Sequence, residues 1–461
     1  MATSDSAASV LLDAAAPYLE LIFRALGNAS ARDAAAATNT VWRDALHAVR
    51  SHWVLDFETV HSSDEWARLN DAGTIVDFGD SELCTASIND GQLKILAYMK
   101  QASHDGAVWR SDARRRQAAI PLAPPRRPGS DARFISCAMG DENDPVVIAD
   151  MVFDHMYQHL YICDSTARGR VLKLVLMDRC ETTYEWGTEE EVTDIDFDQA
   201  EGQSEANFIP SKIALFSTPN LALVFVGARD GRMVVLDGVN ELQVLHRFSA
   251  HGHQVGQVRR PGGMALSSRP AIENHAGSIV EHLELYVTDA DADRIMVFTF
   301  RVNSGQPSTL QEKTASARVI GCSGDAPGQF REPCGVAVLT YHTLPGAGAE
   351  EFARSLVVSE RRGCRVQVLT LAGVPLQLIR STDFGFPSRC LKDVDSTTLA
   401  ICGLGGVCVS PAVCYRPQHV GRVFVAFDDF RTPADRLGDS FGKHGMLSFV
   451  VGPARIHRHR G

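Results

Sequence analysis

The chain lacks any long apolar run. Its most apolar stretch, Thr398 to Cys414, is interrupted by three Gly and one Pro, well short of the roughly 20 apolar residues of a spanning helix. No membrane partner is therefore expected. Paired cysteines are missing too. The 11 Cys are scattered singly from Cys84 to Cys414 with no C-x-x-C. An odd, dispersed set argues against a secreted disulfide framework and for reduced thiols. Lys and Arg are absent from the opening MATSDSAASVLLDAAAP, which carries Asp5 and Asp13, so neither a signal nor a transit peptide is expected. The resulting expectation is a cytoplasmic or nuclear protein, not a secreted one. A basic excess is lacking as well. The net charge of −11 speaks against counterion-driven binding to nucleic acid.

Chemistry-bearing motifs are sparse. Neither H-E-x-x-H nor a P-loop occurs. Histidines fall in small groups, His155 with His159, His251 with His253, and His457 with His459. None has a spaced Cys or carboxylate to complete the three or four ligands of a metal site. The expectation is no catalytic residue, no metal and no cofactor.

What is present is a repeat. From Ile320 to Ile379 the chain reads as a Gly/Pro-rich turn followed by four short runs: Gly335 to Leu339, Ser355 to Ser359, Cys364 to Thr370 and Pro375 to Ile379. Runs of this length, rich in Val and Leu and bounded by turn residues, predict strands. Four such strands make an antiparallel sheet that needs stacked neighbours to bury its faces. The same order recurs upstream. GHQVGQVRRPGGMALS parallels GDAPGQFREPCGVAVL, and YVTDADADRIMVFTF parallels LVVSERRGCRVQVLT. Weaker copies cover Pro145 to Leu176 and Ser211 to Gly238, with a second half alone at Leu83 to Met99 and a last copy in GGVCVSP, GRVFVAFDD and GMLSFVV.

The string G-D-A-P-G-Q-F-R-E-P-C-G-V-A-V, followed by a strand and R-V-Q-V, resembles an NHL repeat. The resemblance implies a mainly β fold, an NHL-type β-propeller. Counting second halves gives six blades, or five if the first copy is a linker. An acidic residue precedes an Arg in each clear copy: Asp164 and Arg170, Asp289 and Arg294, Glu360 and Arg365. A carboxylate ending one strand can hold the turn and the Arg that opens the next, so these pairs are read as blade-structural. Before Arg232 the equivalent position is Gly227, which predicts a missing pair there. The inner strands KIALF, GMALS, GVAVL and GVCVS are apolar, with Asp150 as the one carboxylate on a predicted inner strand. That is few for the metal-dependent hydrolases and lyases found on propellers, which remain a rival reading.

Two insertions stand out. Residues 110–133 hold seven Arg, two Asp and four Pro, which reads as an extended basic loop. Residues 181–205 hold ten acidic residues and no Lys or Arg, which reads as a solvated acidic loop.

The N-terminus has a different grammar. Leu19, Ile22, Phe23 and Leu26 lie at i, i+3, i+4 and i+7, one apolar face of a helix behind Pro17. In a second helix Ala34, Ala37, Val41, Ala45 and Leu46 share a face, and Trp42 adds one large aromatic. The string LELIFRALGNASARDAAAATNTVWRDALHA resembles an F-box. In that family such helices dock on a Skp-type adaptor of a cullin ubiquitin ligase. The resemblance implies that Pro17, Leu19, Ile22, Phe23, Leu26, Val41, Trp42 and Leu46 form the adaptor-binding face. A helical extension packed on the propeller has the same spacing. The expected organisation is a small α-helical domain at 1–55, a propeller at 56–452 and a basic His/Arg tail at 453–461. The expected function is protein recognition: the helices bind the adaptor and the propeller binds a substrate protein. An NHL-type scaffold or RNA reader without a ligase link is the alternative, with RNA disfavoured by the acidic total.

Overall fold

The computed structural model describes residues 53–61, 74–79, 82–86, 93–97, 146–166, 169–179, 184–192, 208–273, 278–303, 306–312, 317–342, 352–380, 400–411, 421–431 and 445–453. The helical segment expected before residue 53 and the basic loop at 110–133 lie outside these residues.

Among the described residues every element is a β-strand, and the strands form six antiparallel sheets. The first sheet has β2 (Ile75–Gly79), β3 (Glu82–Ala86) and β4 (Leu93–Ala97). The second has β5 (Ile148–Asp154), β6 (His159–Asp164), β7 (Arg170–Arg179) and β8 (Tyr184–Val192). The third has β9 (Pro210–Thr218), β10 (Leu221–Ala228), β11 (Met233–Asp237) and β12 (Val244–Phe248). In the fourth, β13 (Pro261–Glu273), β14 (Ser278–Asp289) and β15 (Arg294–Asn303) are followed by a divided outer strand, β16 (Gln306–Glu312) and β17 (Arg318–Ile320), both pairing β15. The fifth has β18 (Pro333–His342), β19 (Phe352–Glu360), β20 (Arg365–Thr370) and β21 (Pro375–Arg380). The sixth has β22 (Ala400–Pro411), β23 (Gly421–Arg431) and β24 (Gly445–Pro453), completed by β1 (Trp53–His61) from the other end of the chain.

The first strands of the sheets adjoin one another in a closed order: β2 beside β5, then β9, β13, β18, β22 and back to β2. That closed circle of radiating sheets is a β-propeller. The closure joins the two ends of the described chain. β1 runs antiparallel to β24 from Trp53 opposite Pro453 to His61 opposite Met446. Among the described residues, Trp53 to Leu55, inside the segment expected to be helical, are strand, because they pair with β24.

The second and third strands explain why the repeats read as unbroken apolar runs. Every residue of β10 and β11 is buried. Alternate side chains serve different cores. Leu221, Leu223 and Phe225 pack with Leu283, Leu285 and Phe298 of the fourth sheet. Val224, Val226 and Ala228 pack with Tyr161, Cys163 and Val171 of the second. The same division recurs one sheet on: Leu285 and Val287 face the third sheet, whereas Tyr286 meets Leu356 and Val358 of the fifth. Each such side chain removes apolar surface worth about 1.5–3 kcal/mol from water, and each core is shared between neighbouring sheets.

Inner strands touch backbone to backbone. A Cβ on Gly262 would lie 2.5 Å from the Pro333 carbonyl oxygen, so the glycine lets β13 and β18 close up. Two sequence readings are corrected here. The acidic stretch 181–205 is not wholly loop, because β8 pairs β7 along Tyr184 to Val192. An outermost strand with one unpaired edge accommodates charge, and charge there discourages pairing with other chains. The first copy also has a first strand, β2, whose run IVDFG is too short to stand out in the sequence.

The ring closure generates a test. Removing residues 1–61 takes away β1 and leaves β24 with an unpaired edge. It should lower the unfolding temperature further than removing residues 1–52, and should promote self-association. Thermal unfolding and size-exclusion profiles of the two truncations check this.

Candidate interaction surface

Alternating strand direction puts the turns between second and third strands on one face of the ring, together with the linkers that join consecutive sheets. The acid–Arg pairs sit there. Arg170 Nε bonds Asp164 Oδ2 at 2.6 Å, Arg294 Nε bonds Asp289 Oδ2 at 3.2 Å, and Arg365 Nε bonds Glu360 Oε1 at 2.7 Å.

Each pair clamps the linker that enters its own sheet. Asp164 Oδ1 accepts the N–H of Val147, Asp289 Oδ1 those of Arg259 and Arg260, and Glu360 Oε2 that of Arg331. The arginines bind the same linkers from the other side. Arg294 donates to the carbonyls of His253, Gln254 and Gln257, and Arg365 to those of Asp325, Gly324 and Gln329. Backbone carbonyls in a linker have no ladder partner, and the guanidinium supplies several donors in a fixed fork.

The residue before the Arg has positive φ in all four described copies: Gly169, Gly231, Asp293 and Cys364. At Gly231 a Cβ would fall 1.9 Å from the Val258 carbonyl oxygen, so glycine is required by space as well as by φ. The pair expected to be missing before Arg232 is present in another form. Asp230, inside the turn, bonds Arg232 at 2.7 Å. The acid has moved from the strand end into the turn, where the strand pattern does not reveal it.

Gln367 is a clamp residue that the sequence reading did not single out. Fully buried, it donates to the Gln329 carbonyl and to Glu360 Oε1, and accepts from the Gly328 N–H. Its only signal was its place in R-V-Q-V. In the fourth sheet Met296 occupies the matching position, and its Sδ accepts from the Gly256 N–H. Burial pushes the Glu360 carboxyl above its ordinary value, and the bonds from Arg365 and Gln367 oppose that push.

Outside the clamp lies a network of exposed charges. Arg260 bonds Asp291 at 2.7 Å and reaches across to Glu332 of the next linker at 3.0 Å, where Arg362 also binds at 2.9 Å. Asp293 accepts from Ser323 Oγ at 2.8 Å and from the Glu332 N–H at 2.6 Å. Arg331 holds Asp325 with two bonds, at 3.3 and 3.2 Å. The Asp293 bonds tie the turn of the fourth sheet to the linker entering the fifth, and the Arg260–Glu332 pair joins two consecutive linkers. Among the described residues these charges are mixed and paired.

The channel wall is built differently. Asp150 Oδ1 accepts from Thr74 Oγ1 at 2.7 Å and Oδ2 from the Ile213 N–H at 3.3 Å. One carboxylate therefore joins the first three sheets. Asp77 and Asp154 also lie on inner strands, so Asp150 is not alone. Among the described residues, no group of three or more His, Cys, Asp or Glu is placed to hold a metal ion. Gly438-Asp439-Ser440-Phe441-Gly442 fits G-x-S-x-G and lies outside the described residues. The candidate adaptor residues, Pro17 through Leu46, also lie outside the described residues.

Two tests follow from the clamp and the network. Glu360→Ala strands a buried guanidinium and should cost about 3–5 kcal/mol in denaturant unfolding, whereas Arg331→Ala, at the exposed pair, should lower the midpoint far less. The hydrogen bonds and charge of Arg331 hold the Asp325 carboxyl below its ordinary value. The attendant stabilisation is present above the ordinary carboxylate pKa and is lost as pH falls through the depressed value. Arg331→Gln should return Asp325 towards the ordinary value in a carboxyl-carbon NMR titration.

No protein-family model matches the chain, and no curated protein matches it. Among solved structures, the chain is similar to the crystal structure of the Myceliophteria thermophila Cps50 (Swd1) β-propeller domain. That likeness covers 81% of this chain and 82% of the other, at 9% identity and a TM-score of 0.34. The propeller assignment rests on the strand pairings and the closed order of the sheets.

Proposed function

We propose that the chain is a non-enzymatic recognition protein, in which a six-bladed NHL-type propeller binds a substrate protein and the F-box-like segment binds a Skp-type adaptor of a cullin ubiquitin ligase. Ubiquitin transfer would take place on other subunits. This chain would contribute proximity and orientation, and would do so in the cytoplasm or nucleus.

The observation that carries this reading is the position of β1. Leu46, the last of the candidate adaptor residues, stands seven residues before Trp53, and Trp53 opens the strand that completes the sixth sheet. Seven residues of extended chain reach at most about 25 Å. A partner held by residues 17–46 is thereby kept close to one edge of the ring. Recognition also suits a ring whose carboxylates serve as clamps and ties. Arg260, Arg331 and Arg362 are each paired with Asp291, Asp325 or Glu332, which suits a protein partner better than RNA at these positions.

Co-purification tests the proposal. Wild type should capture a Skp-type adaptor, and Ile22→Asp with Leu26→Asp should abolish capture while leaving the thermal unfolding of the propeller unchanged. A wild-type chain that captures no such adaptor ends the ligase reading.

A further inference from the structure

The first sheet differs from its neighbours. Among the described residues it has three strands, whereas each of the other five has at least four. β4 pairs β3 from Ala97 opposite Glu82 to Leu93 opposite Ala86. Among the described residues no strand meets its other edge, which offers a row of backbone donors and acceptors.

The outer strands of the second to fifth sheets obey a common rule. Val171 faces Val192, Met233 faces Phe248, Ile295 faces Ile320, and Val366 faces Ile379. In each pair the first residue directly follows the Arg of an acid–Arg pair, and its partner on the outer strand is apolar. Phe248, Ile320 and Ile379 are buried. Phe248 and Ile320 belong to the cores shared with the next sheet, where burial favours an apolar side chain. Leu93 is the matching residue of the first sheet: β4 opens at Leu93 opposite Ala86, as β11 opens at Met233 opposite Gly227.

Spacing then singles out a partner for Leu93. Phe248 stands thirteen residues before Pro261, the start of β13, and Ile320 thirteen before Pro333, the start of β18. Pro261 and Pro333 face the clamp acids Asp289 and Glu360, and Ile148 at the start of β5 faces Asp164 in the same way. Thirteen residues before Ile148 stands Ile135. The linkers into the third and sixth sheets are longer and do not share this spacing. The flanking residues agree with the count. Ala132-Arg133-Phe134-Ile135-Ser136-Cys137 matches Ala317-Arg318-Val319-Ile320-Gly321-Cys322 at Ala, Arg, Ile and Cys, with no insertion before the inner strand. Arg318–Ile320 is β17. Residues 98–145 lie outside the described residues.

We propose that the outer edge of β4 is the docking site of residues 133–135 of the same chain, which add to it as the fourth strand of the first sheet. Leu93 then faces Ile135, Lys94 faces Phe134, and Ile95 faces Arg133, the register that β15 keeps with β17. Main-chain hydrogen bonds attach the segment, as in other strand additions, and Ile135 enters the core between the first and second sheets. The assignment also makes residues 98–131, with most of the Arg-rich stretch, the connection between third and fourth strands, on the face opposite the clamp. It goes beyond the recognition reading and does not rest on it.

Two measurements on the full chain test it. In the first, Leu93→Cys and Ile135→Cys are combined with Cys137→Ser, and mild oxidation is followed by peptide mapping. Directly opposed strand residues lie within disulfide reach, so the two introduced thiols should link within one chain. Leu93→Cys with Met139→Cys, in the same Cys137→Ser background, should not link. No link at Ile135, or equal linking of both pairs, overturns the proposal. A link formed between two chains would make a second copy the occupant and overturn it equally. In the second, residues 131–136 are replaced by Gly and Ser, and amide hydrogen exchange is followed by mass spectrometry. The β4 amides should exchange at least about tenfold faster than in wild type, as expected for lost hydrogen bonds, while those of β11 and β20 keep their rates. Unchanged exchange in β4 overturns the proposal and leaves the edge to a partner's strand or to another part of this chain. Because the disulfide pair keeps the segment in place, it decides the matter even where the replaced chain fails to fold.

Discussion

The ring depends on a carboxylate and a guanidinium that share one linker between them. Neighbouring sheets in a propeller are joined by a single connecting segment, and that segment has no ladder to satisfy its backbone groups. Here the acid takes the linker's N–H groups and the Arg takes its carbonyls, while the two neutralise each other. Burying such a pair carries a large desolvation cost, and Glu360 registers it in a carboxyl driven upward by its surroundings. The return is positional. Each linker enters its sheet at one height and one angle, so the inner strands meet closely enough for Gly262 to abut the Pro333 carbonyl.

How far the sequence reveals this fold depends on which strand is asked. The second and third strands of the clear copies were legible because both their faces are covered, leaving dense apolar runs such as LALVFVGA. First and outer strands were less so. IVDFG in β2 is too short to stand out, and YEWGTEEEV in β8 looks like loop because an outermost strand is free to carry charge. WVLDFETVH in β1 has the right composition, but its partner lies at the other end of the chain, and no local pattern identifies so distant a pairing.

The clamp was legible for a related reason. Asp289 and Arg294 repeat as Glu360 and Arg365, and repetition at fixed spacing is visible in one sequence. The network outside it is not periodic. Arg260 meets Asp291 and Glu332 only because two consecutive sheets are brought side by side. Asp154 and Asp237 end different strands of different sheets, yet each accepts the N–H groups two and three residues on.

The pairing of β1 with β24 also sets an order of events during synthesis. Residues 53–61 leave the ribosome well before residues 445–453 are made. With roughly 400 residues between them and a translation rate of about 5–20 residues per second, β1 waits about 20–80 s for its partner. For that interval the nascent chain carries an unpaired strand beside sheets that are already able to form. A stop codon or a proteolytic cut ahead of residue 445 would then do more than shorten the protein: it would leave β1 permanently exposed, and so mark the incomplete chain for aggregation or removal.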